Sequence, residues 1–423
     1  MRGYMTGLRA CEAAAGGRGY LQVDVVNREN NFPIQDAVVT VQGEDGRVLE
    51  ELPTDNSGQT ESVELDTPPL ALSLESGNTV RPYSVYNLHI SAPGYETVDI
   101  TGTEILPGVT AIQPVRMRPV AVNTDQMANI NIPGHTLYET YPPKIAEAEI
   151  KPVTESGEIV LSRVVVPQTI VVHDGVPTDR SAKDYYVPYR DYIKNVACSE
   201  IYATWPQATI VANVLAIMSF TLNRVYTEWY RNQGYDFTIT SSTAFDHKWI
   251  YGRDIFDTIS VVVDDIFDSY LSRPDVKQPI LTQYCDGVRV SCPNWMTQWG
   301  SCALGEQGYS PIEILRSFYG NDMYINTAEQ ISGIPASFPG TDLTIGSRGS
   351  KVRQMQEQLD AIATIYTAIP RIQPDGIYGP ATAEAVRTFQ SIFGLPQTGV
   401  VDFATWYKIS HIYVAVTRIA ELN

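Results

Sequence analysis

One stretch constrains the fold more than any other. Between Gln207 and Arg231, Val211, Val214, Leu215, Met218, Leu222, Val225 and Trp229 gather on one side of a helical pattern, and the apolar run from Ile210 to Phe220 is broken only by Asn213 and Ser219. Helical spacing over that length predicts one long helix. Its apolar part is too short and too polar for a bilayer, so a buried core helix is expected, with other elements packed around it.

Just upstream, the run from Val187 to Ile201 reads as a second helix, with Ile193, Val196, Ala197 and Glu200 at i, i+3, i+4 and i+7. Three of these positions are apolar and the fourth is a carboxylate. Desolvation on such a face favours the protonated carboxyl, and an acid that keeps its proton near neutral pH is what general-acid cleavage of a glycosidic bond uses. The structural alternative is a Glu at the edge of the stripe that caps or pairs locally. Trp205-Pro206 breaks the chain, and Pro suits the first turn of a new helix. Glu200 therefore falls at a helix-turn-helix junction, where the floor of a cleft can form.

The residues at this junction resemble the stage II sporulation protein D domain, a family of peptidoglycan lytic transglycosylases. The resemblance lies in Asn195-Val196-Ala197-Cys198-Ser199-Glu200, Trp205-Pro206, the Ala212-Asn213 helix, Met296-Thr297-Gln298-Trp299-Gly300-Ser301, Tyr309 to Leu315 and Phe318-Tyr319. It covers roughly residues 165–325. Met218 stands where the family carries an Arg, and Cys285-Asp286-Gly287 only loosely echoes its Cys-Gly-Gly element. The resemblance implies Glu200 as the catalytic acid, Gln298 as a sugar-holding residue, and Trp299 and Trp205 as substrate contacts. A lytic transglycosylase needs one carboxyl, because the muramic C6 hydroxyl attacks its own anomeric carbon; a hydrolase usually needs two. Asp246, Asp254 and Asp257 are the available second acids, and they read more simply as loop or helix-start residues.

The last eighty residues carry a separate signal. Leu343 to Val352 leads into a helix holding Met355, Leu359 and Ile362; Asp375-Gly376-Ile377-Tyr378-Gly379-Pro380-Ala381-Thr382 opens a second; Gly394 to Asp402 repeats the theme before Thr405-Trp406. Glycines supply the turns and Pro or Thr the helix starts, so these read as a degenerate internal repeat. The segment resembles the three-helix peptidoglycan-binding domain, which implies substrate contacts at Asp375 and Tyr378.

Near the other end, Tyr20 to Val26 and Ala37 to Val41 alternate as strands, with turn residues between them and with Tyr86 to Glu96 completing the pattern. This region resembles a carboxypeptidase-regulatory-like β-sandwich, with no cluster of catalytic groups. From 119 to 150 hydrophobic periodicity fades, and Asn123 to Lys144 reads as a linker open to proteolysis.

The expected chain is multidomain α+β: an N-terminal segment (1–18), a β-sandwich (19–118), a linker with a processing site (119–150), a central α+β catalytic domain (151–335) and a three-helix domain (340–423). This order resembles the clostridial spore cortex-lytic enzyme precursors. It implies a dormant precursor acting on spore cortex peptidoglycan after cleavage by an activating protease. No secretory signal or membrane span is read from Met1 to Ala10 or later, which suits deposition around a spore from the mother cell. An amidase and a non-catalytic wall-binding protein are the alternatives.

A net charge of −18 argues against nucleic acid and anionic membrane as partners. The charge is uneven: residues 1–150 hold 9 Lys/Arg against 20 Asp/Glu, while 344–423 hold 7 against 6, so the wall-binding end is not repelled by an anionic polymer. Five cysteines form no dense framework. Cys285, Cys292 and Cys302 with His247 could make a Cys₃His zinc site, yet their spacing lacks the usual tight chelate. Thiols buried or loosely paired near the cleft are the favoured reading, and no cofactor is expected.

Overall fold

The computed structural model describes residues 16–120, 127–151, 161, 163–332 and 338–417. Cys11, most of the N-terminal segment and residues 121–126 of the expected linker lie outside the described residues. The architecture is mixed α+β.

Eight strands build the N-terminal region: β1 (Gly17–Asn27), β2 (Val38–Gln42), β3 (Val48–Pro53), β4 (Val63–Thr67), β5 (Ser84–Ser91), β6 (Thr97–Ile105), β7 (Thr110–Met117) and β8 (Met127–Asn131). They form two sheets, one ordered β7-β1-β4 and the other β3-β2-β5-β6-β8. The period-two pattern sends alternate side chains inward. Leu21, Val23 and Val25 of β1 are fully buried in one core with Val39 and Val41 of β2, Ile90 of β5 and Ile100 of β6. Two findings differ from the expected independent sandwich and structureless linker. β8 lies inside the linker and pairs in parallel with β6, Ile100 facing Ile130. A central strand, Ile255–Phe256, extends the first sheet by pairing with β7, Phe256 opposite Ala111.

The central region is organised by the Glu200 helix (Tyr189–Glu200) and the core helix (Gln207–Tyr226). Ile201 turns to extended backbone, and the Pro206 carbonyl accepts the first amide bonds of the next helix from Thr209 and Ile210. Val214, Leu215, Ala216, Ile217, Met218, Phe220 and Leu222 are all buried, so the core helix is covered on every side. Its full 20 residues are long and apolar enough to cross a membrane by length and composition, which corrects the length argument made above; 83% burial of that window is what marks it as a core helix.

Three helices, Ser350–Ile362, Pro380–Ile392 and Phe403–Thr417, form the C-terminal region. The sequence repeat is matched bond for bond. Gln356 donates from Nε2 to Asp375 Oδ1, the Ile377 carbonyl and Thr382 Oγ1, and its Oε1 accepts from the Gly376 amide. One repeat later, Gln390 donates to Thr398 Oγ1, the Val400 carbonyl and Thr405 Oγ1, and accepts from the Gly399 amide. Each loop glycine is at positive φ, 77° at Gly376 and 66° at Gly399, where a side chain would be strained. This module packs back on the rest: Gln59 Nε2 donates to the Ile392 carbonyl at 2.7 Å.

Candidate active site

Glu200, the last residue of its helix, is only 5% exposed, yet it lines an open cleft of about 470 Å³. Oε1 accepts the Lys248 backbone N–H at 2.8 Å, and Oε2 accepts Gln298 Nε2 at 3.2 Å. Burial pushes the Glu200 carboxyl above the ordinary carboxylate range; the Lys144 ammonium, the Lys248 amide and Gln298 oppose the shift without cancelling it. A carboxyl held this way, at the edge of open space, is equipped to deliver a proton.

Gln298, expected to hold the sugar, begins the helix Gln298–Glu306 and lies against Glu200, but its amide is occupied: Nε2 also donates to the Glu200 carbonyl at 2.9 Å. It holds the Glu200 carboxyl in place. Trp299 and Trp205 sit behind the cleft and not in its lining. Their rings lie 5.0 Å apart, both are buried, and the Trp205 Nε1 donates to the Ser73 carbonyl beneath the N-terminal region. Asp375 and Tyr378 are remote, in the C-terminal module. Asp375 Oδ1 accepts from Gln356 and the Ile377 amide, and the buried Tyr378 hydroxyl donates to the Gly399 carbonyl.

The zinc possibility is corrected. Cys285 and Cys292 form a disulfide that closes a loop beside the cleft, which removes two of the four donors. Cys302 is a buried free thiol, and His247 is buried with Nδ1 3.1 Å from the Tyr192 hydroxyl. Among the described residues no group of three His, Cys, Asp or Glu side chains converges to hold a metal. The candidate second acids are absorbed elsewhere. Asp246 is fully buried against Arg224, Tyr230 and Thr240; the Asp254 carboxylate accepts the Glu104 amide at 3.4 Å; Asp257 accepts those of Thr110 and Thr258.

Three features escaped the sequence. Arg224, on the core helix, pairs with Asp246 at 2.7 Å and Glu147 at 2.6 Å. This helix therefore does carry a buried charge contact, although Met218 takes the place of the family's Arg. Asp286 turns the disulfide loop by accepting amides from Val288, Arg289 and Val290. The third feature is the segment 132–151, which is stitched along the cleft as a strap. Thr136 binds the Ser199 carbonyl, Ile145 the Ala244 carbonyl, the Glu147 amide Gln283, and the Glu149 carboxylate Arg273. Thr136, Glu139, Tyr141 and Lys144 of the strap line the cleft with Glu200. The Lys144 ammonium donates to the Asp246 carbonyl and lies 5.1 Å from the Tyr284 ring centre. Low periodicity was a sign of extended chain here, but that chain is bound.

Residues 348–409 match the peptidoglycan-binding domain family, so the chain carries a wall-binding module at its C-terminal end. No curated protein matches the chain. Among solved structures, parts of it are similar to the Bacillus anthracis TIE protein (16% identity, 25% of this chain and 17% of that one, TM-score 0.18). Others are GBS52, the minor pilin of Streptococcus agalactiae (15%, 26% and 48%, 0.19), and catechol 1,2-dioxygenase of Acinetobacter radioresistens (14%, 28% and 59%, 0.18). The chain spans less than two thirds of each, and likeness at these scores carries no argument about function.

Proposed function

We propose that this chain is a peptidoglycan lytic transglycosylase of the spore cortex, made as a precursor and activated by proteolysis, with Glu200 as its acid. The observation that carries the reading is a buried carboxyl, lifted in pKa and held by neutral donors, at the wall of an open cleft in a chain that also carries a peptidoglycan-binding domain. Glu200 protonates the glycosidic oxygen; the C6 hydroxyl of the muramic residue closes on the anomeric carbon and gives its proton to Glu200, leaving a 1,6-anhydro end. Intramolecular attack gains from proximity, so one carboxyl suffices. The strap over the cleft supports the precursor reading, since cutting and releasing it would widen access to Glu200. Digestion of cortex peptidoglycan by the processed chain, followed by mass spectrometry, tests this. Anhydro ends that vanish in Glu200→Gln are expected; reducing ends or free stem peptides would replace the reading with a hydrolase or an amidase.

The second reading is a non-catalytic wall-binding protein, favoured by the fact that the matched family is a binding domain. No product of any kind from processed chain would establish it.

A further inference from the structure

A larger cavity, about 1990 Å³, opens where the N-terminal sheets, the central region and the C-terminal module meet. One part of its lining is aromatic. The Tyr185 ring centre is 5.2 Å from that of Trp249, tilted by 42°, and 4.8 Å from that of Tyr251, tilted by 30°, which makes a stepped aromatic wall with Trp249 buried behind the other two. The rest mixes apolar residues with charges of both signs, Asp24 from β1, Asp184 and Asp191 against Arg116 from β7, Lys194, and Lys408 from the last helix. Two of these charges have no direct ionic partner. Lys408 is attracted by Asp264 and Asp191 but makes no hydrogen bond or ion pair with a described side chain, and Asp24, which Lys408 also attracts, accepts from the neutral amides of Gln22 and Gln59, at 2.9 and 3.2 Å. Burial raises the Asp24 carboxyl to about 6 and lowers the Lys408 ammonium to about 8, so both gain from a charged or hydrogen-bonding ligand. A concave site with an apolar wall and a few convergent polar groups is the usual form of a small-molecule site.

We propose that this three-way cavity is a second ligand site, separate from the Glu200 cleft, that binds a soluble peptidoglycan fragment, an amino sugar with its peptide stem. The sugar's apolar face lies against Tyr185 and Tyr251, which Trp249 backs, a stem carboxylate meets Lys408 and Arg116, and a hydroxyl or ammonium meets Asp24. The proposal rests on the reading of the chain as one that acts on peptidoglycan. The cavity is also tied to the acid. Trp249 and Tyr251 follow directly on Lys248, whose amide holds Glu200, and Asn195 clamps the same loop through both the Ile250 amide and carbonyl, at 2.9 and 2.7 Å.

The test is calorimetric titration of the full chain carrying Glu200→Gln with a purified disaccharide-tetrapeptide. Saturable binding is expected, weakened at least tenfold by Tyr251→Ala and by Lys408→Met, retained in Tyr251→Phe, and unmoved by Arg289→Ala in the cleft. Thermal melts identify any variant that fails to fold, and Tyr251→Phe against Tyr251→Ala then decides. The proposal is overturned by no binding at all, or by binding that is lost with Arg289→Ala but kept in Tyr251→Ala. Failure of the lytic reading is read separately: processed wild-type chain would release no anhydro ends while the titration result stands.

Discussion

The Glu200 cleft and the C-terminal repeat were both marked by short sequence motifs, and they use those motifs in opposite ways. At the cleft, Glu200 ends its helix at the wall of open space, with Gln298 and the Lys248 amide holding it there. In the repeat, Asp375 and Tyr378 spend their polar atoms on their own loop, one bound by Gln356 and the other reaching Gly399. A turn motif first satisfies the backbone it bends. A carboxyl on an apolar helix face has no such local task, so its position points more directly to chemistry.

The largest effect expected from this contrast is at Glu200. Glu200→Gln keeps an acceptor for the Lys248 amide but carries no acidic proton, so anhydro-end release should fall by about 10² to 10⁴. Asp375→Asn, by contrast, should leave the rate per bound enzyme unchanged. Equal losses in the two variants would erase the distinction between the regions.

Next is the repeat itself. Gln390→Ala strands the buried Gly399 amide and deprives the Val400 carbonyl and two threonines of a donor. Each buried group left unmade costs about 1–3 kcal/mol, so the module should melt early and lose sedimentation with peptidoglycan. Gln356→Ala should behave alike, being its repeat partner. Tyr378→Phe removes one hydrogen bond and should cost only about 1 kcal/mol. If Tyr378→Phe abolished sedimentation without lowering the melting point, Tyr378 would be a wall contact after all.

What could be read from sequence follows the range of the interactions. The Glu200 helix, the core helix and the glycine-led repeat are local, set by periodicity and turn chemistry within about ten residues. The strap, the Arg224–Glu147 pair and the strand Ile255–Phe256 added to β7 join residues far apart in the chain, and periodicity has no access to them. Cys285 and Cys292 were close enough in sequence to suggest pairing, but seven-residue spacing suits a loop disulfide as readily as loose thiols. Segment 132–151 misled for a different reason. Its Pro, Gly and polar residues do exclude helix and sheet, but they leave amides and carbonyls free to bond across to the cleft.

A smaller effect tests how firmly the N-terminal sheets are joined to the cleft side. Glu104 of β6 pairs at 3.1 Å with fully buried Arg253, yet burial still raises its carboxyl from 4.5 to about 7. The folded state therefore holds this proton more tightly than the unfolded chain. Its contribution is complete below pH 4.5 and is lost as pH rises through about 7. Glu104 alone lowers the melting temperature from pH 5 to pH 8, against the opposite contribution of buried His135 and His247, so Glu104→Gln should make the curve less downward or more upward over that range. An unchanged slope would assign the pH dependence to other groups, Asp24 first, since its carboxyl is raised to about 6.

The smallest effect is the most specific to the strap. Lys144 is half-buried beside the cleft, and its charge is the strongest influence holding the Glu200 carboxyl down against burial. Lys144→Met keeps the length and apolar stem that pack by Phe220 and Tyr284 but removes the charge. With that opposing charge gone, only the Lys248 and Gln298 contacts offset burial and the Glu200 carboxyl should titrate higher. In the unprocessed chain the limb of the pH–rate profile at which the acid loses its proton should move to higher pH. Proteolytic processing that carries Lys144 away should move it in the same direction. Should the profile stay in place in both cases, the strap blocks the cleft by occupying it, and its charge has no part in keeping the acid unready.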